Sequence, residues 1–506
     1  GGNRFSQESE VTSYFYDLNG KLTFRPGDKD IITLSVFKGT DMLDNSMSSQ
    51  MPSMGGGEMT RNMSATDITT YGNMGGSLKW SRRWSPKVYG NTVLSYSNYF
   101  SDRERSQDMQ RIGESGESDT TKTGLFENND LKDFSIKSDY QWDILNFMQL
   151  QYGIYSSYYD IDYSYAQSDT LNLLNKNNKG LLSGAYIQTK LKLFNDKLNL
   201  LPGIRASHYS ITNKLYFEPR ASFTFNISDK LSYKGAWGKF YQFTNRVTRE
   251  DILSGSKDFW MLSDGNAIPV STAEHYITGL SYENTDILLS VEAYYKKIAN
   301  LTEYSLRFNP NPQGVDFNED FYVGDNYAKG IEILAQKKSG KINGWISYTL
   351  GEVKSRFNVY SDDYYAANQD ATHEFKIVTQ YQYKRWDFAA TWVYATGRPY
   401  TAPSGAYTIT LLDGTEQEYF TVTEKNGMRL PDYHRMDFSV NYKILAGAKG
   451  DRKRKEIGHI GFSLFNLYNK KNVWYKQFVI DDGQILETNV NYLGITPNLS
   501  LSLKLW

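Results

Sequence analysis

Apolar and polar residues alternate with a period of two along most of the chain. In the segment RASFTFNISDKLSYKGAWGKF, Ala221, Phe223 and Phe225 fall on one face, and Ser222 and Thr224 fall on the other. This alternation indicates a β-strand with one apolar and one polar side. The 3.6-residue period of an amphipathic helix is nearly absent. The pattern therefore predicts an all-β protein.

The alternating segments are long for strands. They extend over about 12 to 18 residues, whereas strands of soluble proteins usually have about 5 or 6. A tilted strand that crosses the hydrocarbon of a bilayer needs about 9 to 11 residues. The segment lengths therefore predict strands that cross a membrane.

The predicted connections are alternately short and long. Short turns are expected near Pro26, Pro86, Asn195, Asp229, Asn284, Gly340 and Lys384. Long connections are expected at 42–67, 101–128, 166–178, 244–270, 306–321, 356–367 and 401–429. Outer-membrane barrels show this asymmetry, with tight periplasmic turns and long extracellular loops. The sequence therefore predicts a transmembrane antiparallel β-barrel.

The number and direction of the strands bear on how much of a barrel is present. The pattern gives roughly 19 strands, and both the first and the last run toward the periplasm. Bacterial single-chain barrels have an even number of strands and begin and end on the periplasmic side. We therefore expect an odd number of strands before Gly1, and residues 1–506 are interpreted as the C-terminal part of a barrel domain.

Composition supports this interpretation and excludes other classes. The 506 residues include 40 Tyr, 26 Phe and 10 Trp, and such residues anchor membrane proteins at the lipid–water interface. The formal net charge of −1 gives no basic surplus for nucleic acid. Cysteine is absent, which excludes disulfides and thiolate metal sites.

A series of segments distributed along the chain carries a family resemblance. The segments are FYDLNGKLTFRPGDKDIITLSVFKGTD, PGIRASHYS, FEPRASFTFNISDKLSYKGAWGKFYQ, AEHYITGLSYENTDILLSVEAYYKK, YAKGIEILAQKKSGKINGWISYTL, TGRPYTAP, LPDYHRMDFSVNY and FSLFNLYNKKNVWY. In this order they resemble the TonB-dependent outer-membrane receptors. The resemblance implies a barrel of the 22-stranded type, from which three strands and the N-terminal plug domain would be missing in residues 1–506.

The resemblance also implies a function. Receptors of this family take up a bulky, scarce solute across the bacterial outer membrane, with energy supplied to the plug by the TonB–ExbB–ExbD complex. The implied surroundings are outer-membrane lipid and lipopolysaccharide, with a surface lipoprotein as a candidate lid. The alternative is a receptor-like barrel that acts as a scaffold or subunit of an outer-membrane complex. A passive pore is a further alternative.

Six of the twelve methionines lie between Met42 and Met63. This segment is predicted to lie in an extracellular loop. Met47, Met51 and Met54 are close enough to act together as a soft-ligand trap, since thioether sulfur suits Cu(I). They are alternatively an adaptable apolar surface for solute or lid, because methionine repacks easily. A loop without any ligand is the third alternative.

Two aromatic pairs are predicted to lie in extracellular loops. Phe259 and Trp260 form one pair, and Tyr364 and Tyr365 form the other. We interpret them as platforms for solute or partner, whereas aromatic pairs within strands are expected to form the interface girdle.

No arrangement of residues indicates an enzyme. There is no nucleophile elbow or phosphate loop, and His373-Glu374 lacks the second histidine of a zinc-protease helix. The sequence therefore predicts a non-enzyme without a catalytic, cofactor or metal site of a known pattern.

Overall fold

The computed structural model describes residues 6–9, 12–51, 60–112, 118–167, 171–249, 257–305, 321–410, 416–422, 424–446, 455–481 and 484–504. All regular elements in these ranges are β-strands, which confirms the predicted all-β class. Within the same ranges there is no helix with the length and apolar character needed to cross a membrane.

Thirty strands follow one another along the chain. The first fifteen are β1 (Ser6–Ser9), β2 (Thr12–Gly27), β3 (Asp30–Asp44), β4 (Met47–Met51), β5 (Thr60–Ser85), β6 (Val88–Ile112), β7 (Ser118–Leu145), β8 (Met148–Gln167), β9 (Leu171–Leu193), β10 (Leu198–Tyr209), β11 (Lys214–Asn226), β12 (Leu231–Gln242), β13 (Thr244–Arg249), β14 (Lys257–Leu262) and β15 (Ser271–Glu283). The others are β16 (Ile287–Tyr304), β17 (Phe321–Lys337), β18 (Ile342–Arg356), β19 (Tyr365–Ala366), β20 (His373–Tyr383), β21 (Trp386–Ala395), β22 (Pro399–Tyr400), β23 (Gly405–Thr410), β24 (Glu416–Thr421), β25 (Met428–Arg429), β26 (Tyr433–Ala446), β27 (Lys455–Phe465), β28 (Val473–Asp481), β29 (Gln484–Asn491) and β30 (Thr496–Leu503).

One sheet contains 24 of these strands. Five of them, β1, β4, β13, β14 and β19, are short additions at one end. The other nineteen form the wall, in which each strand pairs antiparallel with the next wall strand along the chain, from β2 to β30. The predicted antiparallel barrel wall of about 19 strands is confirmed.

The two ends of the wall differ in their connections. At the lower end, two to four residues join most strand pairs, as at 28–29, 86–87, 194–197 and 384–385. At the upper end lie the long connections, including 243–270, 357–372 and 396–432. The predicted asymmetry is confirmed, and so is the short upper turn at 210–213. The predicted bounds of the long connections 101–128 and 166–178 were wrong, because β6 extends to Ile112 and β7 begins at Ser118, while β8 extends to Gln167 and β9 begins at Leu171.

The wall has a polar inner face and an apolar outer face. Ile204 faces Pro219 across β10 and β11 on the outer face, and the next pair, Arg205 and Glu218, lies on the inner face. Inner charges pair with each other, as in Lys234–Glu292, with 2.5 Å between nitrogen and oxygen. Since a lipid-facing surface must be apolar, the charged strand residues are accommodated inside the barrel.

The upper connection between β12 and β15 packs against the inner wall. Its hairpin, β13 and β14, contributes Val247, Phe259 and Met261 to a buried apolar cluster with Tyr163 of β8 and Tyr304 of β16. The end of β13 also pairs in parallel with β16. The hairpin therefore narrows the mouth of the barrel and forms part of the candidate site.

Candidate functional site

A cavity of about 800 Å³ lies at the upper end of the barrel. Its floor is the inner face of β2, β3, β5, β6 and β7, and its other walls come from β14, β28 and the connections 357–372 and 396–432. Ligand-binding cavities commonly occupy about 300–1,000 Å³. The volume therefore suits a solute of considerable size.

Cross-strand register determines which side chains form the floor. The first row joins Asp41, Tyr71, Ser101 and Asn129, and the second joins Leu43, Thr69, Arg103 and Glu127. The third row joins Asp67 and Arg105. Because directly opposite residues and residues two apart share one face, these rows form a continuous inner surface of mixed polarity.

Charges on the floor are partly satisfied. One Asp67 carboxylate oxygen lies 4.0 Å from Arg103 Nε and the other lies 3.9 Å from Arg105 Nη2. The Tyr163 hydroxyl donates a hydrogen bond of 2.8 Å to Glu127. Two cations of the floor thus lie close to the carboxylate of Asp67.

The opposite wall is aromatic and cationic. The rings of Tyr400 and Phe478 stack with centroids 6.4 Å apart, and Lys476 Nζ lies 5.2 Å from the Tyr400 centroid. Trp474 also lines the cavity and is 55% exposed. Such rings offer flat apolar surfaces to a solute, while the neighbouring cation attracts negative charge.

Lys476 remains a cation in this environment. Burial acts to lower the pKa of its ammonium, but hydrogen bonds to Glu487 and Tyr400 outweigh that effect and hold the pKa above its ordinary value. Arg398, a further cation of the lining, is exposed and has no ion-pair partner among the described residues. Its guanidinium is therefore available to a ligand.

Buried polar contacts join the upper connections to each other. Asn426 Nδ2 donates to the Ala366 carbonyl at 2.8 Å and to Asn368 Oδ1 at 2.7 Å. Lys425 is buried, and its Nζ lies 3.4 Å from a Glu303 carboxylate oxygen. The connections 357–372 and 396–432 are thus held together and to β16, so the cavity has fixed walls.

Comparisons with known proteins identify the fold family. The sequence profile of the family described as TonB dependent receptor-like, beta-barrel, matches residues 7–467. The chain belongs to this family. The predicted outer-membrane location is therefore confirmed, the upper end of the barrel is extracellular, and the lower end is periplasmic. The comparison with curated proteins gives no match.

Solved structures of receptors of this kind share the architecture at low sequence identity. The ferric-catecholate import receptor Fiu from K12 E. coli has a TM-score of 0.55 at 10% identity, over 93% of this chain and 78% of that one. The outer membrane transporter YddB from Escherichia coli has a TM-score of 0.54 at 8% identity, and the match covers 97% of this chain and 75% of YddB. BauA, the ferric preacinetobactin receptor from Acinetobacter baumannii, has a TM-score of 0.53 at 11% identity, and the match covers 99% of this chain and 80% of BauA.

The predicted aromatic pairs occupy different positions in this receptor barrel. Phe259 lines the cavity, is 1% exposed and stacks on Tyr163 with centroids 3.9 Å apart. Trp260 follows it in β14, so the pair belongs to a strand of the extracellular connection. Tyr364 meets Tyr327 edge-on at 5.1 Å, and Tyr365 begins β19. Their roles in binding stay predictions.

Two of the three predicted methionines lie in a described strand. Met47 and Met51 are the first and last residues of β4, so the structure places a strand where the sequence predicted a loop. The segment becomes a strand because β4 finds partners in β1 and β5. Met54 lies outside the described residues, and the role of the three stays a prediction.

Sequence reasoning missed most of the cavity. Arg103, Arg105, Arg398, Tyr400 and Trp474 were not among the predicted contacts. Alternation along β5 and β6 could have placed Asp67, Arg103 and Arg105 on the inner face, but no local pattern shows which connections fold over them. No group of three His, Asp or Glu side chains suited to a metal ion occurs in the described ranges.

Proposed function

We propose that this receptor barrel captures a bulky solute in the upper cavity and admits it to energy-coupled uptake across the outer membrane. The cavity is the observation that carries the proposal, because it lies at the extracellular end of the wall, above a polar barrel interior. The inner rows of β3 to β7 form its floor, and ordered connections form its walls. A passive pore would not need such a shaped site.

The aromatic and cationic wall opposite the floor favours an anionic solute with a flat apolar part. Arg398 and Lys476 provide cations, and Tyr400, Trp474 and Phe478 provide rings. Metal chelates built on aromatic groups combine these properties. Fold neighbours named as a ferric-catecholate receptor and a ferric preacinetobactin receptor are consistent with this class, which we propose for the solute.

The remaining partners follow from the family. A plug domain inside the barrel would block the interior and receive energy from the TonB–ExbB–ExbD complex, with lipid and lipopolysaccharide around the wall. Phe259 would support the cavity wall. We propose that Trp260, Tyr364 and Tyr365, together with the segment of Met47, Met51 and Met54, meet the solute or a lipoprotein lid on the extracellular side.

Uptake by the native organism tests the proposal. The gene is deleted, and uptake of a ferric catecholate chelate, haem, cobalamin, an oligosaccharide and a peptide is measured with labelled compounds. We expect the deletion strain to lose uptake of the ferric chelate and the wild-type gene to restore it fully. With Arg398→Ala, uptake of the chelate should be less than about a tenth of the wild-type uptake, since a charged hydrogen-bonding contact is worth about 1.5–3 kcal/mol.

Arg25→Ala is the matched control. Arg25 is exposed at the periplasmic end of β2 and lies far from the cavity along its strand, so this variant should restore uptake fully. Wild-type uptake of all five compounds by the deletion strain would contradict the proposal.

A further inference from the structure

Two arginines lie beside each other on the inner face of β10 and β11. Arg205 is directly opposite Glu218, and Arg220 is two residues further along β11, so the three side chains share this face. The residues directly opposite Arg220 are glycines on both sides, Gly203 in β10 and Gly238 in β12. Neither neighbouring strand therefore presents a side chain directly beside Arg220, which is only partly buried.

An aromatic ring supports each guanidinium. Arg205 Cζ lies 5.5 Å from the centroid of the Tyr155 ring, and Arg220 Cζ lies 5.7 Å from the centroid of the Phe240 ring. The Phe240 ring can lie against the wall because Gly238 has no Cβ, which would be 2.7 Å from that ring. The rings thus hold both cations in position, and such preorganisation lowers the cost of binding an anion.

The charge of the two arginines is only partly neutralised. Glu218 is 3% exposed, and one of its carboxylate oxygens lies 3.7 Å from Arg205 Nε, too far for a hydrogen bond. Its other oxygen accepts a hydrogen bond of 3.1 Å from the Tyr241 backbone N–H. Within the described ranges, Arg205 Nε and Arg220 Nη2 are buried without a hydrogen-bond acceptor. A charged donor without an acceptor is costly, which indicates that an acceptor binds from the barrel interior.

On the β9 side of the arginines, the neighbouring carboxylate is already engaged. The register row from Arg205 runs through Tyr186 of β9 and Gly153 of β8 to Asp139 of β7. The Asp139 carboxylate accepts a hydrogen bond of 2.5 Å from the Tyr186 hydroxyl and lies 3.2 Å from Lys137 Nζ. Its charge is thus balanced by a lysine of its own strand.

On the β12 side, the same inner surface gains a further positive charge. The register row from Arg220 continues through Gly238 and His275 to Lys296 of β16. Lys296 Nζ lies 5.5 Å from the centroid of the Tyr294 ring, and no ion pair joins Lys296 to another residue of the described ranges. The two arginines therefore lie in a locally positive part of the inner wall.

We propose that Arg205 and Arg220 together bind one oxyanion inside the barrel, and that this oxyanion is an acidic group of the transported solute. Diagonal neighbours on adjacent antiparallel strands lie about 7–8 Å apart, so two long side chains can reach one carboxylate or phosphate group. Guanidiniums suit these groups because they offer paired N–H donors in one plane. The choice of ligand rests on the proposed function, whereas the anion site itself does not.

The site lies deeper in the barrel than the extracellular cavity. Its register row reaches β7 at Asp139, which is nearer the periplasmic end of that strand than Asn129 of the cavity floor. An anionic solute that leaves the cavity toward the periplasm therefore meets a second positive surface. Binding there stabilises the solute part-way along its route and so favours its passage.

Modification by phenylglyoxal tests the anion site in the purified full-length protein. Pyrophosphate is the probe, chloride keeps the ionic strength constant, and mass spectrometry reports each arginine separately. We expect saturating pyrophosphate to slow modification of Arg205 and Arg220 by about fivefold or more, because the reagent then needs the anion to dissociate. Modification of Arg25, at the periplasmic end of β2, should not change. Absence of protection, or arginines that the reagent does not reach even without pyrophosphate, would overturn the site.

Uptake kinetics test the choice of ligand. In the deletion strain, R205Q/R220Q should bind the ferric chelate to de-energised cells as the wild type does, because the cavity is intact. Its maximal uptake rate should be lower by about tenfold or more, since contacts to a charged group are lost. R220K keeps the charge and should retain most of the rate, and R25Q is the control. Mobility on gels with and without heating shows whether each variant is folded.

The outcomes separate this inference from the proposed function. A wild-type uptake rate in folded R205Q/R220Q would overturn the solute as ligand. So would a lowered rate accompanied by entry of vancomycin, because the arginines would then hold a carboxylate of a polypeptide segment inside the barrel. If the wild type takes up none of the five compounds, the proposed function and this choice of ligand both fail, and the phenylglyoxal experiment still decides whether the anion site exists.

Discussion

At the scale of single residues, Asn129 joins the wall to the extracellular hairpin. Its Oδ1 accepts a hydrogen bond of 2.7 Å from the Trp260 backbone N–H, and its Nδ2 donates to the Trp260 carbonyl at 3.1 Å. The residue is 3% exposed. One side chain thus satisfies both backbone groups of Trp260, which fixes the position of Phe259 in the cavity wall.

We expect Asn129→Ala to loosen β14 without unfolding the barrel. The substitution leaves a buried N–H and a buried carbonyl without partners, which costs about 1–3 kcal/mol. Amide hydrogen exchange in β14 should accelerate by about tenfold or more, as measured by mass spectrometry. Asn128→Ala is the control, because the neighbouring side chain is exposed and bonds only Asp102 among the described residues. Equal exchange in the two variants would exclude this role.

Asp432 provides a pH-dependent contact at the extracellular rim. Hydrogen bonds from the Tyr394 hydroxyl and from the Gly397 backbone N–H hold the pKa of its carboxyl below the ordinary value. A lowered pKa means that the carboxylate stabilises the folded rim above the ordinary aspartate pKa of about 3.9. This contribution is lost as the pH falls through the lowered pKa of the folded protein.

We therefore expect pepsin to cleave the connection 396–432 more readily as the pH falls below about 4. Asp432→Asn cannot titrate, so its cleavage rate, corrected for pepsin activity on an unfolded substrate, should not show this step. The comparison is made by mass spectrometry of the fragments. If the corrected cleavage rates of both proteins depend on pH in the same way, a group other than Asp432 controls the cleavage of this connection.

At the scale of elements, Gly344 permits close pairing of two strands. It lies at the start of β18 with φ +153°, and an added Cβ would lie 2.2 Å from the Val378 carbonyl oxygen of β20. Backbone atoms cannot move aside as a flexible side chain can. The pairing of β18 with β20 therefore depends on a residue without a Cβ at this position.

We expect Gly344→Ala to reduce the yield of folded barrel in the membrane severely. Gly351→Ala is the matched control in the same strand, because its added Cβ would meet only ordinary contacts of 3.4 Å or more. Folded and unfolded barrel can be separated by their mobility on gels with and without heating. Normal folding of Gly344→Ala would mean that β18 adjusts its register.

The elements differ in how far the sequence predicts them. Wall strands such as β11 are apparent from local alternation, because each strand needs only one apolar and one polar face. The site depends on contacts that are distant in sequence. Asn129 and Trp260 are 131 residues apart, and the stacked rings Tyr400 and Phe478 belong to different connections. No local pattern encodes such pairs, so the cavity could not be predicted while the wall could.

At the scale of the whole molecule, the two faces of the wall can be distinguished by mutation. Val291 lies on the outer face of β16 and is 46% exposed, while its neighbour Ser290 lies on the opposite, inner face. Arginine on the lipid face near the middle of the membrane costs about 2–4 kcal/mol, and inner positions tolerate charge. Val291→Arg should therefore lower folding stability in lipid vesicles by about that amount.

Ser290→Arg should change stability far less, since it places the same charge in the polar interior. Urea unfolding from vesicles, followed by tryptophan fluorescence, measures both variants. Equal destabilisation by the two substitutions would contradict the assignment of the faces.

The edges of the sheet lead to a final prediction about the whole barrel. Within the described ranges, the wall strand β2 pairs only with β3, and β30 pairs only with β27. Nearly all residues of both strands are exposed. Unpaired backbone groups cost several kcal/mol each in hydrocarbon, so membrane sheets close into barrels without free edges. We therefore expect both edges, β2 and β30, to have a second pairing partner when the protein is in the membrane.

Residue-resolved hydrogen exchange of the full-length protein in lipid can test this closure. In an antiparallel edge strand, only alternate N–H groups bond to the single partner, and the others remain free. We expect both sets of amides in β2 to exchange slowly, as in β10, which has partners on both sides and serves as the internal reference. Fast exchange of one alternate set in β2 would leave an open edge in the membrane and would contradict the closed barrel on which uptake depends.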